Sequence, residues 1–368
     1  MSQILYRPPQ LNKDAIQYVT IAESNPDSPR NDTANVVELP DGSLLVVWHR
    51  YGKSREGGSD YGKADIACRI SRDRGATWAD ERVIVTRDPE DLNIQAPAVC
   101  LLPTGELLLT ALRAHSNASS SMCLFRSNDL GKTWSDAGAI WNRSTGQWLQ
   151  GGTSSIVQLP GGKLLVPFHG GSGTQWQQHN TVGIWASTDQ GHTWRRTPAC
   201  VDLPMRGAME ASVAPLPSGR LIMSLRSQLG SVFMCESRDE GETWSLPWCS
   251  GLTAPESCTC LRRIGNSDWL MLIWNGLDHY DPKHHHYGRR TPLTIAVSPD
   301  AGRTWLRIGN LEDNDNEEYT NLNCTFTSSG DAVITYWIVS PAFDRANLTM
   351  SNLKTAIIPR SYWDSVIL

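Results

Sequence analysis

Three short segments of the sequence carry side chains that could move a proton or attack an electrophilic carbon. Asp60 stands in SDYGKAD, Glu210 in AMEASVAPLPSG and Tyr319 in EEYTNLNC. A carboxyl group such as that of Asp60 can protonate a leaving oxygen if burial raises its pKa. A phenol has an ordinary pKa of about 10, so Tyr319 needs a nearby base such as Glu210 to attack at neutral pH. The alternative is structural, because a Tyr and a Glu on strands are more often packing or surface residues and SDYG is also an ordinary turn.

Arginines near these segments favour an anionic ligand. Arg226 ends the apolar run LIMSLR, and Arg290 stands in GRRTPLTIAVS beside the competing choice Arg289. The guanidinium fork of arginine matches the two oxygens of a carboxylate. These positions therefore predict a site that binds a carboxylate.

The elements that must position these residues are indicated by a repeated octet. The pattern S-x-D-x-G-x-T-W occurs five times, in SRDRGATW, SNDLGKTW, STDQGHTW, SRDEGETW and SPDAGRTW. In each copy Asp can accept backbone hydrogen bonds, Gly supplies a positive φ, and Trp packs between sheets. One carboxylate per octet is too few for a calcium site. The octet therefore indicates fold and not chemistry.

A second repeat precedes the octets and completes a structural unit. LPDG, LPTG, LPGG and LPSG are each followed by an apolar run, a further strand-like run and then an octet, with weaker echoes after Arg263 and Ser328. Strand, hairpin, strand, strand, Asp-Gly hairpin and strand make one four-stranded antiparallel sheet. Six such units predict an all-β fold, a six-bladed β-propeller forming a single domain over residues 1–368. The spare strands at the two ends predict that N- and C-terminal strands pair to close the ring.

The octets are Asp boxes, and the chain resembles a sialidase (neuraminidase) of the six-bladed bacterial and animal type over almost its whole length. Sialidases carry a similar S-D-x-G-x-x-D, whose first Asp is the acid/base, which implies that role for Asp60. Their Tyr-Ser-x-Leu and N-E-x-x-V-V-E-L segments imply Tyr319 as nucleophile and Glu210 as its base. Arg226 and Arg290 correspond to two members of the arginine triad that binds the substrate carboxylate. Sialidases are an exception to the two-carboxylate rule of glycosidases, since a neutral phenol avoids repulsion by the substrate carboxylate.

The sequence departs from the sialidase pattern at the first triad arginine. The family opens with (F/Y)-R-I-P, and counting back from Leu39-Pro40-Asp41-Gly42 puts that arginine at Asp32. Arg30 stands two residues earlier and could substitute if the strand is shifted or bulged. A carboxylate at the base of the pocket would repel an acidic sugar. A further family arginine that aligns the acid/base falls near Arg50 or Arg55.

Several polar and aromatic residues at the ends of apolar runs could line a sugar site. These are Trp48, His49, Gln95, Trp148 and His169, although core packing is the commoner role of the tryptophans. In KHHHYGRR, His285 or Tyr287 could reach the pocket, while adjacent histidines in a loop are usually solvated. We expect no metal and no organic cofactor.

Composition limits the partners. The 368-residue chain has a formal net charge of −5 and no basic run, which argues against nucleic acid or anionic membranes as partners. The start of the sequence has no signal-peptide pattern, and the nine cysteines are an odd number without a CxxC pair. We therefore expect a cytoplasmic protein with a carbohydrate or glycoconjugate substrate. The oligomeric state is not predicted.

The function that the resemblance implies is that of a retaining exo-glycosidase releasing a terminal sialic acid or a related acidic sugar. Two alternatives stay open at this stage. One is a propeller glycosidase or polysaccharide lyase for another acidic sugar, and the other is a non-catalytic glycan-binding propeller.

Overall fold

Six antiparallel sheets form the fold in a computed structural model that describes residues 7–54, 59–144, 146–151, 156–284, 286–339 and 350–367. The strands in chain order are β1 (Gln17–Ala22), β2 (Asn31–Glu38), β3 (Leu44–Tyr51), β4 (Ala64–Ser71), β5 (Ala79–Val85), β6 (Asn93–Leu101), β7 (Leu107–Ser116), β8 (Ser119–Ser127), β9 (Ser135–Trp141), β10 (Gln147–Gly151), β11 (Val157–Gln158), β12 (Leu164–Ser172), β13 (Thr181–Ser187), β14 (Arg195–Arg196), β15 (Met209–Pro215), β16 (Leu221–Arg226), β17 (Ser231–Ser237), β18 (Trp248–Thr253), β19 (Cys260–Arg263), β20 (Leu270–Asn275), β21 (Leu293–Ser298), β22 (Leu306–Glu312), β23 (Glu318–Phe326), β24 (Ala332–Val339) and β25 (Ser351–Ile358). A 3-10 turn covers Lys13–Ala15 and helix α1 covers Arg360–Val366. Neither of these described helical segments is long enough to cross a membrane.

Each sheet is one blade of a propeller, as the sequence predicts. Blades 1 and 2 are β2–β5 and β6–β9, and blades 4 and 5 are β15–β18 and β19–β22. In blade 3 the first strand is in two pieces, β10 and β11, which both pair with β12. Blade 6 has the order β1-β25-β24-β23, so that the N-terminal strand β1 is its outermost strand. The prediction of a six-bladed propeller of four-stranded antiparallel blades is confirmed.

The core lies between the blades. Each of the six described apolar clusters joins two neighbouring sheets; one of them, for example, contains Leu45 of blade 1 and Leu109 of blade 2. The cluster between blades 5 and 6 also takes in Trp363 of α1. Both faces of each sheet are therefore covered by neighbours, which one sheet alone could not achieve.

The octets make the hairpins between the third and fourth strands of five blades. In the third copy, Asp189 Oδ1 accepts from the Thr193 N–H at 2.9 Å, and Ser187 Oγ accepts from the Gly191 N–H at 2.8 Å. The hydroxyl and the backbone N–H of Thr193 both donate to the Asp189 carboxylate and lower its pKa. Its Gly191 has a φ of +83°. The structural interpretation of the octet therefore accounts for its Ser, Asp, Gly and Thr.

Strand direction separates the octets from the other end of the molecule. The first strand of each blade runs toward the hairpin that leads into the second strand, and the third strand runs toward the octet. Because the strands are antiparallel, these two hairpins lie at the same end. Residues at the starts of first strands and the ends of second strands consequently converge at the opposite end.

Candidate active site

A cavity of about 210 Å³ lies where the first strands begin, at the end of the propeller opposite the octets. Its lining comes from all six blades and from the loops that join their strands. The lining residues are Arg30, Asp32, Thr33, His49, Asp60, Gln95, Ala96, Trp148, Gln150, His169, Gln175, Trp176, Arg206, Met209, Glu210, Arg226, His286, Arg290, Asn321 and Trp337.

Four first strands reach the cavity through the same local distortion. β2, β6, β15 and β23 each shift register at a bulge, and the non-glycine residue at its centre has a positive φ. These centres are Thr33 (φ +45°), Ala96 (+49°), Glu210 (+40°) and Asn321 (+50°). Each stands six positions before the residue that opens the following hairpin, for example Glu210 before Leu216. The bulge therefore places equivalent positions of four blades against the cavity.

One wall of the cavity is lined by three arginines and Glu210, and the buried carboxylate of Glu256, which does not line the cavity, pairs with two of these arginines. Arg226 donates from Nη1 to Glu210 Oε2 at 3.0 Å, and Arg206 donates from Nη1 to Glu256 Oε1 at 2.6 Å. Arg290 donates from Nη2 to the Glu256 carbonyl oxygen at 3.2 Å but makes no ion pair with a carboxylate in the part of the chain described. The Nε atoms of all three arginines are buried without a hydrogen-bond partner there. This wall, called the arginine wall below, carries one more positive than negative charge.

The pKa shifts on the arginine wall follow from burial and from these charges. Burial would raise the pKa of Glu210, but the Arg226 and His169 side chains outweigh it and lower that pKa. Burial is likewise outweighed at Glu256, where His286 and the guanidiniums lower the pKa to about 2. Burial and the neighbouring Arg226 charge lower the pKa of Arg290. Both glutamates are therefore ionised, and an anion beside Arg290 would relieve the repulsion between the guanidiniums.

The facing wall is centred on Arg30. Its Nε donates to Asp32 Oδ2 at 2.9 Å and its Nη1 to Asp60 Oδ1 at 2.8 Å. The guanidinium also lies over the rings of Tyr51 and Trp337, at 4.8 and 5.0 Å from their centroids. Cation–π contacts and two carboxylates fix the guanidinium in place.

Asp32 is fully buried, and its charge is compensated inside the protein. Besides Arg30, the Asn321 side chain donates from Nδ2 to Asp32 Oδ1 at 2.7 Å. Burial raises the pKa of Asp32, but Arg30, His49 and Asn321 together hold it far below its usual range. The carboxylate that the sequence predicts to repel an acidic sugar is thus neutralised by Arg30, which lines the cavity beside it.

Two histidines occupy corresponding places at the ends of second strands. His49 Nδ1 accepts from the Ala96 N–H at 3.2 Å, and His169 Nδ1 accepts from the Glu210 N–H at 3.3 Å. An imidazole nitrogen that accepts is unprotonated, so Nε2 carries the proton in each ring. Burial, despite the opposing effect of Glu210, lowers the pKa of His169 to about 4. His169 is therefore a neutral side chain that can donate a hydrogen bond from Nε2.

Comparison with known proteins places the chain in a family. A sequence model of the BNR repeat-like domain matches residues 42–330. The chain belongs to this family. It is also similar to a sialidase of Bacteroides fragilis, with 26% identity over 196 residues that cover 51% of this chain and 34% of the relative. The match thus spans about a third of that relative's length.

Solved structures share the propeller of this BNR repeat-like protein. A mutant of Trypanosoma rangeli sialidase displaying trans-sialidase activity superimposes with a TM-score of 0.72 and 14% identity, covering 98% of this chain and 61% of that chain. A leech intramolecular trans-sialidase gives 0.71 and 14%, covering 94% and 71%. A Dyadobacter fermentans protein of unknown function gives 0.69 and 15%, covering 93% and 98%. At these identities the likeness shows the fold alone.

The structure brings most of the sequence-predicted residues of this BNR repeat-like protein together. Asp60, Glu210, Arg226, Arg290, Arg30, Asp32, Gln95 and His169 all line the cavity. Arg289 does not, since it lies 3.8 Å from Glu318, so Arg290 is the arginine of that pair that faces the site. Arg55 and His285 lie outside the described residues.

Tyr319, the nucleophile that the resemblance implies, does not line the cavity. It stands two residues before the bulge centre Asn321, is fully buried, and donates its hydroxyl to Glu317 Oε2 at 2.8 Å. Its ring packs edge-on against Tyr336 between blades 5 and 6. The physical reason is the bulge between Thr320 and Asn323, which interrupts strand alternation, so that residue 321 lines the cavity and residue 319 does not.

Arg50 is also placed elsewhere, and Tyr287 and Trp48 do not line the cavity. Arg50 donates from Nη1 to Glu81 Oε1 at 2.7 Å in a groove at the side of blade 1. Tyr287 stacks on Tyr280, and Trp48 is buried between blades 6 and 1. Among the described residues no cluster of three or more His, Cys, Asp or Glu side chains could hold a metal ion.

Several residues at or beside the cavity were missed by sequence reasoning, and four of them bear most on its charge and shape. Arg206 and Glu256 complete the arginine wall, Trp176 stands 47% exposed at the cavity, and Asn321 is the bulge centre of blade 6. The signal for Asn321 is present in the sequence, because it precedes Thr327 by the same six positions that separate Glu210 from Leu216. No local pattern marks Arg206, Glu256 or Trp176.

Proposed function

We propose that this protein is an exo-glycosidase of the sialidase superfamily that releases a terminal sialic acid or a related acidic sugar from a glycoconjugate. The observation that supports it is the uncompensated charge of the arginine wall, where Arg290 faces Arg226 without a carboxylate of its own among the described residues. A ligand carboxylate supplies the missing anion in a buried setting where a charge-assisted bidentate contact is strong. A cavity of about 210 Å³ suits one terminal sugar ring better than a length of polysaccharide.

The proposed roles follow from the two walls. Arg226 and Arg290 hold the carboxylate, and Arg206 strengthens the positive potential around it. Asp60 lies across the cavity beside Arg30 and, in its protonated form, released from the ion pair with Arg30, gives a proton to the leaving oxygen. Glu210, which is ionised and paired with Arg226, acts as the base that takes a proton from the attacking nucleophile. Gln95 and the Nε2–H of His169 are placed to hold sugar hydroxyl groups.

Substitution of neighbouring arginines tests the carboxylate site. We expect Arg290→Met to lower kcat/KM for an acidic-sugar glycoside at least 100-fold, because a buried charge-assisted contact is lost. Arg289→Met is the matched control, since Arg289 is the adjacent residue but does not line the cavity. The measurement is turnover of fluorogenic glycosides of sialic acid and of other 2-keto-3-deoxy acids by the two variants and the unaltered protein. Equal losses in both variants, or none in either, would contradict the assignment.

A second candidate is glycan binding without hydrolysis. It is favoured by the ion pair between Arg30 and Asp60, because an ion-paired Asp60 carboxylate has no proton to give to a leaving group. Under this alternative the free acidic sugar raises the melting temperature in an Arg290-dependent way, yet no glycoside in the panel is cleaved. A lyase acting on an acidic polysaccharide would instead release an unsaturated product, detected by its ultraviolet absorbance.

A further inference from the structure

We infer that a water molecule activated by Glu210, and not a tyrosine, attacks the anomeric carbon, so that hydrolysis inverts the anomeric configuration. This inference rests on the proposed function and concerns the chemistry of the same cavity. It begins with Asn321, the blade 6 residue at the position equivalent to Glu210 in blade 4. A side-chain amide is not a nucleophile in glycoside hydrolysis, and the Nδ2 of this one is engaged with Asp32 at 2.7 Å.

No tyrosine of the described residues lines the cavity. Tyr319 is held between blades by its hydrogen bond to Glu317, and burial, with Glu317 adding to it, raises its pKa. Tyr51 lies beneath the Arg30 guanidinium and is fully buried. A covalent intermediate on a phenol would therefore require one of these rings to leave a packed position, at the cost of a cavity in the core.

Glu210 is the group best placed to serve the attacking atom. Its Oε2 is held by Arg226 at 3.0 Å, whereas Oε1 makes no hydrogen bond to any described residue. Direct attack by this carboxylate would bring its charge onto a carbon that carries the substrate's own carboxylate. A neutral water molecule avoids that repulsion, and an ionised carboxylate is suited to take its proton.

The step balances with the residues present. The water oxygen forms a bond to the anomeric carbon while Glu210 takes a proton from that water. The bond from the anomeric carbon to the aglycone oxygen breaks, and Asp60 gives its proton to that oxygen. Afterwards Glu210 loses a proton to solvent and Asp60 gains one, which restores the starting state. One displacement on one face of the ring leaves the product with the opposite configuration.

Proton NMR of the first product anomer tests the inference on any glycoside that the protein cleaves. We expect the inverted anomer before mutarotation, no mass adduct after incubation with a 2,3-difluoro analogue of the sugar, and a Tyr319→Phe rate within about twofold of the unaltered protein. A retained anomer, a covalent adduct, or a loss of turnover in folded Tyr319→Phe overturns the inference while leaving the proposed function standing. Absence of cleavage of every glycoside in the panel overturns both together. Glu210→Gln should lower kcat at least 100-fold while the free sugar still raises the melting temperature.

Discussion

His169 links the charge state of a single buried side chain to the stability of the fold. Its folded-state pKa of about 4 lies below the ordinary value of 6.5, so the unfolded chain takes up the proton first as the pH falls. Stability contributed by neutral His169 is therefore present above about pH 6.5 and is lost as the pH drops toward 4. His169→Asn keeps an acceptor for the Glu210 N–H. The unaltered protein loses free energy of unfolding between pH 7 and pH 5, and we expect this substitution to make that loss about 2 kcal/mol smaller.

Denaturant unfolding at both pH values measures this effect. His192→Asn is the control, because His192 is exposed in an octet at the end of the propeller opposite the cavity. If the unaltered protein and His169→Asn lose the same free energy of unfolding on going from pH 7 to pH 5, His169 does not carry the effect.

Single residues also show where prediction from the sequence succeeds and fails. Arg226 and Glu210 each stand at a fixed distance from a recognisable hairpin in the sequence, and both line the cavity. The sequence predicts that Asp32 repels a ligand, whereas in the structure Arg30, only two residues away, donates to it. This pairing cannot be read from residue types. The chemistry of its phenol favours Tyr319, whereas the spacing that identifies Glu210 selects Asn321.

At the level of elements, the octet hairpins hold neighbouring blades together. An added Cβ at Gly131 would lie 2.8 Å from Leu45 Cδ2 of the preceding blade, and Gly191 faces Leu108 in the same way. Gly105, in the other hairpin of blade 2, has a similar φ of +86° but open space around it. Gly131→Ala and Gly105→Ala each place an alanine in the left-handed region, which costs about 1 to 2 kcal/mol of stability. We expect Gly131→Ala to cost about 1 to 3 kcal/mol more, since fully buried Leu45 must shift.

The comparison of Gly131→Ala with Gly105→Ala separates backbone strain from packing between blades. Equal changes in the free energy of unfolding would show that the octet glycine serves its own turn alone.

The blades themselves are predictable because octets and Leu-Pro hairpins recur along the sequence. The bulges were not, since Thr33, Ala96, Glu210 and Asn321 share no residue type and adopt a positive φ that their side chains disfavour. The four strained positions all lie at the cavity, where the surrounding strands hold them in place.

At the level of the whole molecule, the ring is closed without a covalent bond between its ends. β1 pairs with β25 over residues such as Val19 and Thr355, and Ile21 of β1 is fully buried between blades 6 and 1 beside Trp48. All nine cysteines are free thiols, so no disulfide supports the closure. The retention of β1 in blade 6 therefore depends on hydrogen bonds and on apolar packing.

Ile21→Ala tests whether ring closure stabilises all blades together. Removing this buried side chain should cost about 2 to 5 kcal/mol, because it leaves a cavity where β1 meets the first and last blades. Since tryptophans are present in every blade, their fluorescence reports on the whole ring, and far-ultraviolet circular dichroism reports on its strands. We expect both signals to shift to the same lower denaturant midpoint, as a closed ring unfolds as one unit.

Val83→Ala is the control. Val83 lies on the outer strand β5 with its side chain partly in solvent, so this substitution should change the free energy of unfolding by no more than about 0.5 kcal/mol. A local loss of β1 without a shift in either midpoint would instead show that five closed interfaces between blades hold the propeller together without the sixth.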